Sequence, residues 1–96
     1  MKYKALYLPT ADRDILHISD ALRDYPNKAK RLFQEIEKKV ILLEDMPYMW
    51  PVYPLRPEYR QMVLEDYLLF YIVDEEEHKV RIYRVLYAKM DIPSRI

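Results

Sequence analysis

The sequence predicts an α+β domain of order β-α-α-β-β-β, an antiparallel helical hairpin packed on a mainly antiparallel four-stranded sheet. Two adjacent stretches, near 11–24 and 27–45, carry apolar residues at helical spacing. Three strand-like runs then follow one another after residue 58, separated only by short charged turns. Helices first and strands afterwards place the helices on one face of the sheet rather than between parallel strands. Residues 1–96 are expected to form a single domain. A chain of this length buries only roughly 60–65% of its unfolded surface, so its core is thin.

Residues 2–8 alternate, with Tyr3, Ala5 and Tyr7 on one face, and predict a short first strand. Thr10 is a suitable N-cap for the first helix, with Asp12 and Asp14 near the positive end of its dipole. Ile15, Ile18, Leu22 and Tyr25 recur along that helix, which must stop before Pro26. Asn27 can cap the second helix. Its stripe is Ala29, Leu32, Phe33, Ile36, Val40 and Leu43, supported by the Glu35–Lys39 pair, and it should end near Asp45. Four prolines in 46–58 forbid helix and central strand, so this apolar segment is expected to lie extended on the domain with Tyr48, Trp50 and Tyr53 partly buried. Pro51, Pro54 and Pro57 stiffen it and limit unfolded-state entropy. Strands are expected at 59–64, 67–73 and 79–87. The run from Tyr67 to Val73 lacks polar alternation, which predicts an inner strand covered on both faces.

Composition narrows the function. The 16 basic and 16 acidic residues cancel, so bulk charge does not hold this chain on nucleic acid, although a local basic patch remains open. There is no cysteine, hence no thiolate site or disulfide, and no glycine, hence no glycine-rich phosphate loop. With glycine absent, turns are expected to use Asn, Asp, Pro or Glu. No apolar run is long enough for a membrane span and the opening residues carry no signal-peptide core, so a cytoplasmic location is expected.

Asp12, Asp14 and His17 invite a metal reading, but only Asp14 and His17 share a helix face, and the helix dipole already accounts for the acids. No metal or other cofactor is expected. Glu75, Glu76, Glu77 and His78 read as a solvated hairpin tip. The C-terminal third is richer: Arg60 opens one strand, and Arg81, Arg84 and Lys89 accompany Tyr83 and Tyr87 on or after the last. Strict alternation puts Arg81, Tyr83 and Tyr87 on one face and Arg84 on the other. Arginines among tyrosines can hold a phosphate and stack a base. They can equally serve as cation–aromatic packing.

Tyr59-Arg60, then Tyr67, Tyr71, Val73 and Asp74, then Val80, Ile82, Arg84, Leu86 and Tyr87 followed by Asp91, occur in the order and spacing of a known pattern. A second helix that begins near Tyr25-Pro26 and closes on Leu43 four residues before Pro47 belongs to the same pattern. Taken together they resemble the RelE/ParE superfamily, the toxins of type II toxin–antitoxin systems, over nearly the whole chain. The resemblance implies a cognate antitoxin from the adjacent reading frame as partner. It also implies one of two targets: the ribosome and its mRNA for RelE-like members, or DNA gyrase for ParE-like members.

The expected activity is the RelE-like one, a ribosome-dependent mRNA endoribonuclease that inhibits translation, for which the resemblance assigns catalysis to Arg60, Arg84, Tyr87 and Lys89. The RNA 2′-hydroxyl would attack the adjacent phosphate, with arginines stabilising the developing charge. Leu68 and Met62 stand where many RNA-cleaving members carry basic residues, which reduces phosphate-binding capacity. The alternative implied is a ParE-like gyrase inhibitor, or a degenerate toxin that only binds its antitoxin. Met49, Trp50 and Tyr53 are expected to border the antitoxin groove.

Overall fold

The computed structural model describes residues 2–96. The element order is β1 (Lys4–Tyr7), α1 (Pro9–Ala21), α2 (Pro26–Asp45), β2 (Arg60–Leu64), β3 (Tyr67–Asp74), β4 (Lys79–Tyr87) and a short 3₁₀ turn (Ile92–Ser94). The sheet runs β1-β4-β3-β2, with β1 parallel to β4 and the other two pairings antiparallel. The expected α+β arrangement is therefore present, as two helices on a mixed sheet.

Both helices open differently from the sequence expectation. Thr10 does not cap α1; Pro9 occupies the first turn, where a missing N–H costs nothing and φ is already set for a helix. Pro26 does the same for α2, so Asn27 lies inside that helix rather than at its cap. The apolar stripe of α2 behaves as its spacing predicts: Leu32, Ile36, Val40 and Leu43 are buried. They pack with Ala11 and Ile18 of α1 and Leu22 just after it onto Met62, Leu64, Leu69, Tyr71, Val80, Ile82 and Val85 of the sheet.

The opposite face is covered without a helix. Tyr53 and Tyr59 from the proline-rich segment, and Ile92 from the C-terminal turn, close over Phe70 and Leu86. Aromatic edges do much of the contact, with Tyr53 against Phe70 at 5.1 Å and Tyr59 against Tyr83 at 5.4 Å between ring centroids. β3 is thus buried on both sides, as its unbroken apolar run requires, and Leu69, Phe70 and Tyr71 are fully inaccessible.

The tight turn before β4 corrects two expectations. His78 takes a positive φ of 52°, the left-handed conformation that glycine would usually supply and this chain has no glycine to offer. His78 is also not a simple solvated tip residue: its ring lies 5.0 Å from Tyr3 and its carbonyl accepts the Lys4 N–H. Tyr3 in turn donates to the Glu75 carboxylate, and that bond is the main reason its phenol titrates above the ordinary range.

Candidate functional site

β1 is only four residues long and pairs with Lys79 to Ile82, so the second half of β4 would be an open edge. The chain turns at Leu8 and Pro9, and α1 takes over where β1 stops. Leu8 N–H donates to the Ile82 carbonyl, and the Thr10 hydroxyl donates to the Tyr83 carbonyl at 2.7 Å. The Asp14 carboxylate then accepts the Val85 N–H at 3.0 Å. Side chains of a helix here replace the missing strand and satisfy buried backbone groups.

At this place β4 carries a bulge. Phe70 pairs with Arg84 and Tyr71 with Ile82, leaving Tyr83 without a partner residue. The extra residue inverts the alternation beyond it. Val80, Ile82 and Val85 all face the helices, while Tyr83 and Leu86 pack on the other side. The expected face of Arg81, Tyr83 and Tyr87 is therefore split. Arg81 stays near Asp74, which it bonds at 3.1 Å, and Tyr87 moves to the helical side, with its ring edge 5.7 Å from Tyr67.

Beside the bulge, Arg84 pairs with Phe70 and reaches α1 around the edge of the sheet. Its guanidinium grips Asp14 as a fork, Nε at 2.7 Å and Nη2 at 3.0 Å, and its third nitrogen donates to the Arg95 carbonyl. Asp14 is 7% exposed and accepts three protein N–H donors. Its hydrogen bond holds the Arg84 guanidinium above its ordinary pKa, against the opposing effect of burial. The sequence reading gave Asp14 only a dipole role. Its position among Ala11, Ile18 and Leu22, inside the apolar stripe, was the signal that it faces inward.

Arg60 lies elsewhere, at the start of the edge strand β2. Its guanidinium donates to the Trp50 carbonyl at 2.7 Å and lies 4.8 Å over the Tyr48 ring. It is half-buried rather than a free strand cation. Beside it, the Tyr71 hydroxyl donates to the Pro47 carbonyl at 2.8 Å, and burial pushes that phenol up to about 12. Trp50 packs against the main core with Lys39 above its ring, so it is structural as well as adjacent to the surface, while Tyr48 and Met49 are exposed. Lys89 is exposed in the turn after β4.

The four sequence candidates thus fall into separate neighbourhoods. Arg84 and Tyr87 line one cleft of about 550 Å³ between α1 and the end of β4. Arg60 and Lys89 are not among its lining residues. The cleft also holds Arg13, His17, Tyr67 and Arg95, of which His17 had drawn attention as a possible ligand and Tyr67 as part of the family pattern. No cluster of three potential metal ligands occurs among the described residues, and no helix there is long and apolar enough to cross a membrane.

Against known proteins, residues 5–92 match the family described as ParE toxin of the type II toxin–antitoxin system parDE. No curated protein matches the chain. Solved structures do. The chromosomal ParDE toxin–antitoxin system of P. aeruginosa superposes with a TM-score of 0.75 at 20% identity, covering 92% of this chain and 98% of that one. The toxin–antitoxin complex RelBE2 of Mycobacterium tuberculosis gives 0.67 at 21% identity, covering 91% and 99%. A double arginine-to-alanine mutant of the E. coli toxin RelE in the free state gives 0.65 at 17% identity, covering 99% and 93%. At these identities the structural likeness establishes the fold.

Proposed function

Since the chain belongs to the ParE toxin family of type II toxin–antitoxin systems, we propose that it arrests growth by binding a protein target, DNA gyrase, and not by cutting mRNA. One observation carries this reading: the arginines that an RNA-cleaving face would need are already engaged by the protein itself. Arg84 is forked onto Asp14 and Arg60 is tied to the Trp50 carbonyl. Charge stabilisation of a phosphoryl transition state requires donors aimed together at one point. Here the two guanidiniums belong to different neighbourhoods, and neutral Leu68 and Met62 add no charge between them. Met62 is fully buried under the helices, so that position has no access to a substrate. The antitoxin encoded beside the gene is the expected neutralising partner.

The nuclease reading keeps one supporting feature. Tyr87 and Lys89 are both exposed at the end of β4, where a single strand of RNA could reach them. The two readings separate in parallel reactions with the purified protein. Gyrase supercoiling should be inhibited, while a ribosome-containing translation reaction should leave its mRNA intact. Cut mRNA with undisturbed supercoiling would replace this reading with the nuclease one.

A further inference from the structure

A second cavity, of about 390 Å³, adjoins the cleft and shares Thr10, Arg84 and Arg95 with it. Its other walls are Leu8, Pro9, Tyr59, Tyr83 and Ile96. No carboxylate side chain lines it, in a chain whose acidic and basic residues balance. The main-chain oxygens nearby are occupied, since the Arg95 carbonyl accepts from Arg84 and the Ile96 oxygen accepts from Arg56.

Donors, in contrast, are left over. α1 opens at Leu8 without a side-chain cap. The Leu8 N–H reaches the Ile82 carbonyl and Pro9 has no N–H to offer, but the N–H groups of Thr10 and Ala11 meet no acceptor among the described residues. They stand at the positive end of a 13-residue helix. Tyr59 supplies an independent donor. It is 8% exposed and lines the cavity, yet among the described residues only the Tyr3 and Tyr71 hydroxyls form hydrogen bonds to protein atoms. A tyrosine this buried ordinarily pairs its hydroxyl. Arg95 is exposed and forms no ion pair among the described residues.

A phosphomonoester presents three terminal oxygens and up to two negative charges, and helix-start N–H groups, a hydroxyl and a guanidinium are the donors that hold it. The rest of the cavity suits a flat, apolar body. Tyr83, the extra residue of the bulge, lines it half-buried with its ring held edge-on by Tyr59 at 5.4 Å, and Leu8, Pro9 and Ile96 complete an apolar wall. Its volume lies within the range of small-molecule sites, roughly 300–1,000 Å³.

We propose that this cavity binds a small aromatic phosphomonoester, of the size of a nucleoside 5′-monophosphate, with its phosphate against the α1 N-terminus, Tyr59 and Arg95 and its ring against Tyr83. The site goes beyond the growth-arrest reading and does not depend on it.

Titration of the intact protein with adenosine 5′-monophosphate, followed by amide chemical shifts, tests the proposal without any toxic activity. The amides of Thr10, Ala11, Tyr83 and Arg95 should shift and saturate, and adenosine or inorganic phosphate alone should bind at least about 10-fold more weakly. Tyr59→Phe keeps the ring and removes only the hydroxyl; it should weaken the nucleotide by about 10-fold or more, the loss expected for a hydrogen bond to a charged group. Arg95→Gln should do the same. Tyr53→Phe, in a tyrosine equally buried but outside the cavity, should bind as the parent does. Thermal melts identify any variant that fails to fold, and if Tyr59→Phe does, Arg95→Gln alone decides. The proposal is overturned if those amides show no saturable shift, if adenosine or phosphate binds as tightly as the nucleotide, or if the folded variants bind it as the parent does. It is equally overturned if an oligouridylate without a terminal phosphate displaces the nucleotide as readily as more nucleotide would, because the cavity would then belong to an RNA surface.

Discussion

Arg84 and Arg60 occupy matching places in the family pattern, each next to a tyrosine on a strand, yet the fold employs them differently. Arg84 meets a buried carboxylate and ties α1 to β4 and the C-terminal turn. Arg60 meets a neutral carbonyl and an aromatic face, and ties the proline-rich segment to the edge strand. In both cases the availability of a guanidinium is decided by its partners, which lie 70 and 10 residues away in sequence. The motif places the arginine, and the tertiary contact determines whether its charge is free to act on a ligand.

If that contrast is right, the two ends should respond unequally to mutation. Asp14→Ala should be the most damaging change. It strands a partly buried guanidinium and the Val85 N–H together, and breaking a buried pair from one side costs about 3 kcal/mol or more. Urea unfolding should show this as a large drop in midpoint at unchanged slope. A variant within ~1 kcal/mol of the parent would mean that the Asp14–Arg84 fork is loosely held.

Arg60→Ala comes next, at about 1–2 kcal/mol, from one charged hydrogen bond and a cation–aromatic contact that are partly solvated. That is more than the ~0.5 kcal/mol appropriate to an exposed strand arginine, and chemical denaturation can tell the two apart. Protection of the 46–58 amides against hydrogen exchange should fall in the same variant.

Tyr71→Phe removes a buried hydroxyl and leaves the Pro47 carbonyl unpaired, for about 1 kcal/mol at neutral pH. It also carries a pH signature. Burial raises the Tyr71 phenol to about 12, so between the ordinary tyrosine value of about 10 and that point the unfolded chain has lost a proton that the folded protein keeps. The contribution is complete below about pH 10 and is lost as pH rises through 12. The parent should therefore lose stability more steeply over that window than Tyr71→Phe does; parallel alkaline curves would disprove the assignment.

Tyr87→Phe should change stability least, within ~0.5 kcal/mol, because its ring rests on Tyr67 and its hydroxyl has no hydrogen-bond partner among the described residues.

Much of this fold was legible from pattern. The stripe of α2 runs Leu32, Ile36, Val40, Leu43, and the unbroken run of β3 gives its burial on both faces. What escaped depended on contacts with no local signature. Nothing in the order Ile82, Tyr83, Arg84, Val85 announces a bulge, yet that single extra residue moved Val85 and Tyr87 to the helical face. The helix starts were misplaced because proline and threonine compete for the same few positions, and Thr10 is drawn instead to the Tyr83 carbonyl. His78 escaped because the left-handed turn position fell to an unusual residue in a glycine-free chain. Of the four candidate site residues, the pattern located all on or near strands but said nothing of their engagement.

Under the proposed function, growth arrest comes from a binding surface while the motif arginines hold the fold. Mapping 5′ ends of cellular mRNA after a short induction of the toxin distinguishes this from mRNA cleavage. Growth arrest is expected with no new ends at codon-spaced positions within translated frames. New ends of that kind, appearing with the parent and abolished by the well-folded Tyr87→Phe, would contradict it.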